Sequence, residues 1–167
     1  MSLEAAKELA PTGVLRAAIN MSNFLLVTGK TATGEPDGVS PDMARELAKR
    51  LSVDLELLQY KTPGEISDDA GKDIWDIGNI GAEPKRAEKI DFTAAYCEIQ
   101  STYMVPPGSE ITSLDQVDQK GVRIAVSARS AYDLWLERNI KNAKLLTTTL
   151  TRIATTYNAR YLFRSSK

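Results

Sequence analysis

A strand–helix–strand pattern occurs twice in this chain, and it restricts the fold more than any other feature of the sequence. In the first copy, the apolar run GVLRAAIN (13–20) and the strand-like run VDLELLQY (53–60) flank a helix pattern that begins near Ser40. The second copy keeps the same order: GVRIAVS (121–127), SAYDLWLERNI (130–140) and AKLLTT (143–148). A helix that connects two strands of one sheet makes those strands parallel. The sequence therefore predicts two α/β lobes, each with a parallel sheet.

The first helix pattern has the residues of a helix N-terminus. Ser40 is expected to cap the helix with its hydroxyl, and Pro41 suits the first helical position. One apolar stripe at helical spacing is expected to face the sheet: Met43, Leu47 and Leu51, with Ala44 and Ala48 beside them.

The segment between the two copies carries a turn and an extended run. A short strand is predicted within 74–80, followed by a small-residue turn and by Pro84 at the first position of a short helix. The run CEIQSTYMV (97–105) is rich in β-forming residues and ends at two prolines, so it is predicted to be a long strand. Cys97, at its start, is expected to be a buried and inert thiol.

Composition excludes several classes of function. The chain has 167 residues with a net charge of −1 and no basic run long enough to follow a phosphate backbone, so no nucleic-acid partner is predicted. It contains no histidine and one cysteine, which excludes Cys/His zinc sites, Ser-His-Asp catalysis and an intrachain disulfide. No metal site and no cofactor are predicted. No apolar run has the roughly 18 to 20 residues of a membrane span.

Three stretches resemble a known family: GVSPDMARELAKRLSVDLELLQY, WDIGNIGAEPKRAEKIDFTAAY and GVRIAVSARSAYDLWL. They are similar to the extracellular solute-binding proteins of family 3, which deliver polar amino acids to ABC importers. The resemblance covers about residues 12 to 148 and is most specific from Trp75 to Tyr96. It implies an α/β, periplasmic-binding-protein-like fold, with two lobes joined by a hinge over a ligand cleft. We expect residues 1–103 to form the first lobe, with 1–11 as a leader, and 104–167 to form the hinge and an incomplete second lobe.

The resemblance also implies a set of ligand-binding residues. Arg86 falls where the family grips the ligand's α-carboxylate, and a guanidinium can bind that group with two charge-assisted hydrogen bonds. The turn formed by Gly81, Ala82 and Glu83 is expected to add backbone N–H groups to the same anion. The remaining implied contacts are Asn20, Asn23, Phe24, Tyr96 and Ser130.

Each of these residues also has a structural alternative. Arg86 can be a surface residue paired with Glu83 or Glu88, and Ser130 can be simply a helix cap. The two aromatic side chains can pack without touching a ligand, and the two asparagines can serve turn geometry. Trp135 is expected in the core of the second lobe, or exposed if that lobe is incomplete.

The chain departs from the family pattern at several positions. Glu83 replaces a common hydroxyl residue, and its carboxylate would repel an anionic ligand unless it turns away or pairs with Lys85 or Lys89. Arg129 stands where glycine is common. The segment after residue 148 is basic and threonine-rich and differs from the family, which indicates a truncation. Its helical stripe is predicted at Ile153, Tyr157 and Tyr161.

The resemblance implies a binding protein rather than an enzyme. It predicts capture of an amino acid or related small carboxylate, the membrane permease of an ABC importer as partner, and a periplasmic location with the native signal peptide removed. Two alternatives stay open at this point. One is a cyclohexadienyl dehydratase-like enzyme, acting on prephenate or arogenate with Glu83 as its only nominated acid or base. The other is a truncated chain that binds no ligand and forms a dimer through its incomplete lobe.

Overall fold

The computed structural model describes residues 3–148, and the predicted helical stripe at Ile153, Tyr157 and Tyr161 lies outside them. Contacts divide the chain into two compact units: unit 1, Met1–Ile90, and unit 2, Asp91–Lys167. The division at residues 103 and 104 that the family resemblance implies stays a prediction. In the part of the chain that the structure describes, no helix has the length and apolar character to cross a membrane.

Unit 1 alternates strands and helices, as the first copy of the pattern predicts. Its elements are α1 (Leu3–Leu9), β1 (Val14–Asn20), β2 (Gly29–Lys30), β3 (Pro36–Asp37), α2 (Val39–Leu51), β4 (Asp54–Tyr60), α3 (Pro63–Asp68), β5 (Ile77–Asn79) and α4 (Pro84–Ala87). Three strands form a sheet in the order β4-β1-β5, and β2 pairs with β3 in a small antiparallel hairpin.

The central strand β1 is parallel to both of its neighbours, so the predicted parallel sheet is confirmed. Leu15, Ala17, Ala18 and Ile19 are each at most 1% exposed, because neighbouring strands cover both edges of β1 and other elements cover its faces. A strand buried on both faces reads as a continuous apolar run rather than as an alternating one. That is the pattern of GVLRAAIN.

Helix α2 begins differently from the prediction. Its N-cap is Gly38, with φ of 129°, and the Ser40 hydroxyl does not cap the helix. Ser40 lies inside the first turn, where its N–H donates to Leu26 O at 2.9 Å. The chain approaches itself so closely here that a Cβ on Gly38 would lie 2.7 Å from Leu26 O. Glycine is needed at this turn for both reasons.

The buried face of α2 is also rotated from the predicted stripe. The helix buries Ser40, Pro41, Ala44, Ala48 and Leu51, whereas Met43 is 44% exposed. Small side chains occupy the contact because α2 packs closely on the sheet. Ahead of it, α1 places Ala5, Ala6 and Leu9 against the cluster around Leu15 and Ala48, so the segment expected to be a leader packs in unit 1.

One charged cluster ties the start of β1 to the loop before β5. The Arg16 guanidinium donates to both Asp76 carboxylate oxygens, at 2.7 and 3.1 Å, and to the Asp73 carbonyl at 2.6 Å. Its backbone N–H also donates to Asp76 Oδ2 at 2.7 Å. Burial acts to raise the pKa of Asp76, but the hydrogen bonds and charge of Arg16 outweigh burial and hold that pKa below its usual range.

Unit 2 contains the second copy of the pattern. After a 3-10 turn (Leu114–Gln116), it forms β6 (Arg123–Ser127), α5 (Ala131–Asn139) and β7 (Lys144–Thr148). Strands β6 and β7 are parallel, as predicted. A small core of Val117, Ile124, Val126 and Leu136 lies between the two strands and α5. Trp135 is 50% exposed, so of the two positions expected for this residue the structure has the exposed one.

A single carboxylate organises the turn before β7. Asp118 accepts backbone hydrogen bonds from Lys141, Asn142 and Ala143, at 2.7 to 2.9 Å. These amide donors, with that of Ala143 first, lower the pKa of Asp118. Because this turn directly precedes β7, the carboxylate sets where the strand begins.

The long strand predicted at 97–105 is wrong. Within these described residues, only Ser101 makes an isolated bridge, and the rest have no regular structure. A β-prone sequence forms a strand only where another strand offers hydrogen bonds, and β-propensity depends strongly on that context. Cys97 is therefore exposed rather than buried.

We expect Gly38→Ala to lower the free energy of unfolding by about 2 kcal/mol or more, because the substitution adds a backbone clash to an unfavourable φ. Gly34→Ala is the matched control: its φ is +85°, but its added Cβ would have nothing within 4 Å. That control is expected to cost about 1 kcal/mol. Urea denaturation measures both, and equal losses would contradict the close approach at Gly38.

The Arg16–Asp76 contact leads to a prediction of how the stability of the protein depends on pH. Since the folded pKa of Asp76 is lowered, its contribution to stability is complete above the unfolded pKa of about 3.9 and is lost as the pH falls below that value. Asp76→Asn is expected to lower stability at pH 7 and to flatten this acid loss. Denaturation between pH 7 and pH 2 tests this, with the exposed Asp37→Asn as control. An unchanged acid profile in Asp76→Asn would contradict the assignment.

Candidate ligand-binding site

Three strands of unit 1 end side by side, and their last residues begin the candidate site. Asn20 ends β1 opposite Tyr60, the last residue of β4, and Asn79 ends β5 opposite Ile19. Ligands of open α/β sheets bind at this carboxyl edge. The Tyr60 hydroxyl donates to Asp69 at 2.9 Å, and burial together with this carboxylate raises the pKa of Tyr60 to about 12. Tyr60 is therefore a neutral donor fixed in place.

The loop after β1 is organised by the predicted asparagines. The Asn20 side chain is buried, and its Oδ1 accepts from the Ser22 N–H at 3.1 Å and from the Ser22 hydroxyl at 2.7 Å. The Asn23 carbonyl accepts the N–H groups of Leu26 and Val27. Both asparagines thus have the turn-forming role that was the structural alternative. Their contact with a ligand stays a prediction.

Phe24 stands out from this loop. It is 67% exposed, the highest value among the large apolar side chains in the described part of the chain. An exposed ring beside the carboxyl edge can cover a ligand, and its ligand role remains a prediction.

Asn79 is a residue of this edge that the sequence analysis missed. Its Nδ2 donates to the Ser40 carbonyl at 2.7 Å, which ties the end of β5 to the first turn of α2. The signal was present, since an asparagine ends a short strand directly before a small-residue turn. Its partner, however, is 39 positions away and could not be read from the local pattern.

The turn after β5 holds the two central residues. Glu83 is the N-cap of α4, and its Oε2 accepts the Lys85 N–H at 2.9 Å. The Glu83 carbonyl accepts the N–H groups of Arg86 and Ala87. Arg86 NH1 donates to the Gly81 carbonyl at 2.8 Å. The carboxylate of Glu83 has therefore turned into the helix, where a capping hydroxyl would otherwise lie.

Both charged side chains of this turn are buried. Glu83 is 5% exposed and Arg86 is 4% exposed. This excludes the alternative that Arg86 is a solvated surface residue. Burying an unpaired charge is costly, so buried ions are normally found with a partner of opposite charge. Glu83 is the N-cap of α4 and Arg86 is its third residue, so both charged residues belong to the same helical turn.

Two predicted site residues, Ser130 and Tyr96, lie in unit 2. Ser130 caps α5, and its hydroxyl accepts the Asp133 N–H at 3.2 Å. Asp133 is buried and accepts the Arg129 N–H at 2.6 Å. Arg129 has φ of 59°, a left-handed conformation that glycine adopts more readily than other residues. Tyr96, in the irregular segment, is 45% exposed.

The structure therefore groups the predicted residues into sets. Unit 1 brings one set into the turn after β5 and another into the loop after β1: Gly81, Ala82, Glu83 and Arg86, then Asn20, Asn23 and Phe24. These two segments leave neighbouring strands of one sheet at the same edge. Chemically, the edge offers a buried guanidinium, a buried carboxylate, amide groups and one exposed ring, which suits noncovalent recognition of a small polar molecule.

The sequence matches a family described as bacterial extracellular solute-binding proteins, family 3, over residues 17–161. A curated relative, the L-cystine-binding protein TcyJ of Escherichia coli (strain K12), is 28% identical over 115 residues. That alignment covers 68% of this chain and 43% of the relative, so the chain spans less than half of the relative's length.

Solved structures with the same fold include two amino-acid-binding proteins. The ancestral amino acid-binding protein AncCDT-1, a precursor of cyclohexadienyl dehydratase, has a TM-score of 0.71 at 23% identity, covering 86% of this chain and 65% of that one. The cysteine-binding protein of Campylobacter jejuni has a TM-score of 0.66 at 21% identity, covering 95% and 65%. At these identities the likeness establishes the fold alone: a periplasmic-binding-protein-like α/β fold, in which this chain covers 65% of each neighbour's length.

Asn79→Ala is expected to lower the free energy of unfolding by about 1 kcal/mol, because it removes the donor that ties β5 to α2. Gln59→Ala is a suitable control, since its amide lies 3.5 Å from the Gly34 carbonyl, at the limit of a hydrogen bond. Thermal denaturation compares the two. A loss at Asn79 no larger than that at Gln59 would contradict a structural role for this bond.

Proposed function

Because the chain belongs to the bacterial extracellular solute-binding proteins, family 3, we propose that it binds an amino acid or related small carboxylate at the carboxyl edge of unit 1. The proposal includes the role that the family implies, delivery of the ligand to the membrane permease of an ABC importer. It also includes a periplasmic location. Binding here involves no covalent chemistry, and the contacts at Tyr96 and Ser130 remain part of the prediction.

The burial of Arg86 carries this proposal. Arg86 is 4% exposed, and its NH1 nitrogen donates to the Gly81 carbonyl. A guanidinium has five N–H donors, and its planar fork matches a carboxylate. A buried arginine is shielded from water, so it contributes little to the solubility of the protein. It suits recognition of an anion in a site that excludes water.

The names of the relatives indicate which ligands to try first. One relative is named for L-cystine, and one structural neighbour is named for cysteine. Another neighbour, from Wolinella succinogenes, was solved with lysine. These ligands share the α-amino acid group and differ in side chain, and we assign the shared α-carboxylate to Arg86.

The enzyme alternative has less support. It needs a positioned general acid or base, and Glu83 was the only carboxylate nominated for that role. Glu83 is 5% exposed and its Oε2 caps α4 through the Lys85 N–H. A carboxylate in that position is fixed as a helix cap. A prephenate turnover assay distinguishes the two functions, since a binding protein forms no product.

We expect a thermal-shift screen with L-cystine, L-cysteine, L-lysine and L-arginine to identify a ligand. At about 100 times the dissociation constant, a ligand adds about 2.7 kcal/mol to the stability. Arg86→Ala is expected to weaken binding by tenfold or more, since a hydrogen bond to a charged group contributes about 1.5 to 3 kcal/mol. Arg86→Lys keeps the positive charge but loses the planar fork of donors. Its affinity for the ligand should therefore lie between those of the wild type and Arg86→Ala.

Arg50→Ala is the control for this experiment. Arg50 is exposed on α2 and pairs with Glu46, so its loss removes a positive charge away from the proposed site. Two results would overturn the proposal. One is a screen without any shift in a protein that melts cooperatively. The other is a shift that Arg86→Ala leaves at its full size. In the first case a solution mass twice that of the monomer would favour the self-associating alternative.

A further inference from the structure

We infer that Asp133 is a positioning residue for ligand binding. Its carboxylate holds the turn between β6 and α5 in the conformation that presents the Ser130 hydroxyl to a ligand. The inference rests on the proposed function, in which Ser130 is one of the ligand contacts. It goes further because it gives a role in binding to a buried acidic residue of unit 2 that no motif of the sequence connects with a ligand.

Two energetically unfavourable features occur together in this turn. Arg129 has φ of 59°, a left-handed conformation that is costly for a residue with a side chain. Asp133 is 3% exposed, and its Oδ1 has no hydrogen-bond partner among the described residues. Strained backbone and unsatisfied buried polar groups are uncommon in folded proteins, and backbone strain concentrates at functional sites. Their coincidence in one turn indicates a functional role beyond the start of a helix.

The Asp133 carboxylate stabilises the unfavourable conformation of Arg129 directly. Its Oδ2 accepts the Arg129 N–H at 2.6 Å, which makes a charge-assisted hydrogen bond. Rotation about the N–Cα bond of Arg129 would move α5, and with it the carboxylate, relative to this N–H. The hydrogen bond therefore holds φ of Arg129 at its left-handed value, and the loss of the carboxylate would release it.

The same turn fixes the Ser130 hydroxyl. The Ser130 N–H donates to the Ser127 carbonyl at 3.3 Å, and the hydroxyl oxygen accepts the Asp133 N–H at 3.2 Å. Ser130 donates its hydroxyl proton to none of the described residues, so this proton is available to an acceptor atom of a ligand. Ser130 follows the carboxyl end of β6, where ligands of open α/β sheets bind. Asp133 thus holds Ser130 through its own N–H and through the residue that precedes Ser130.

Isothermal titration with the four amino acids of the thermal-shift screen tests the inference. Asp133→Ala is expected to weaken binding by about tenfold, because the Ser130 hydroxyl is no longer held in place for the ligand. Asp133→Asn keeps a side-chain oxygen for the Arg129 N–H and should lose less affinity. Glycine adopts a left-handed φ without the cost. Arg129→Gly should therefore leave the affinity unchanged by itself, and should restore most of the affinity when it is added to Asp133→Ala.

Glu137→Ala is the control, because Glu137 is an exposed carboxylate on the same helix, and its affinity should equal that of the wild type. Urea denaturation of every variant separates a loss of stability from a loss of affinity. If Asp133→Ala is less stable but binds as tightly as the wild type, Asp133 only supports the helix, and the inference is wrong while the proposed function stands. Failure of Arg129→Gly to restore binding has the same consequence. If none of the four amino acids binds the folded wild type, the proposed function fails, and the inference fails with it.

Discussion

The burial of β1 between two parallel strands is the constraint from which the rest of unit 1 follows. Strands β4 and β5 occupy both edges of β1, and the elements packed on its faces bury small apolar side chains such as Ala17 and Ala18. Parallel pairing then brings three strand ends to one edge of the sheet. The loop with Phe24 and the turn with Arg86 both leave from that edge, so the geometry of the candidate site depends on how this buried strand is paired.

Several buried or partly buried polar side chains near this edge have defined hydrogen-bond partners. The Asn79 side-chain amide donates to the Ser40 carbonyl, and the Asn20 side-chain oxygen accepts from the Ser22 hydroxyl. The Glu83 carboxylate accepts from the Lys85 N–H. A buried polar atom without a partner costs more than its hydrogen bond would have contributed. The loops therefore have little freedom to rearrange. This is the condition that a site needs if a guanidinium and a carboxylate are to stay in place for a ligand.

Sequence reasoning succeeded where a pattern was local and failed where a partner was distant. The apolar run of β1, the cap of α5 at Ser130 and the proline at the start of α4 were all read correctly, because each depends on neighbours in the chain. Ser40 was assigned as a cap, but the approach of Leu26 makes Gly38 the cap instead. Residues 97–105 were assigned as a strand from composition, but in the part of the chain that the structure describes they form only an isolated bridge at Ser101.

The sequence by itself determined the two β-α-β units, the parallel direction of their strands and the identity of the family, because hydrophobic periodicity and motif order are properties of the chain. It also placed an arginine after a small-residue turn. Only the tertiary structure decided that Arg86 and Glu83 are buried and that the Glu83 carboxylate turns into α4. Burial depends on what packs around a residue, and the direction of a side chain depends on which donor is nearest in space. Neither is encoded in the spacing of residues along the chain.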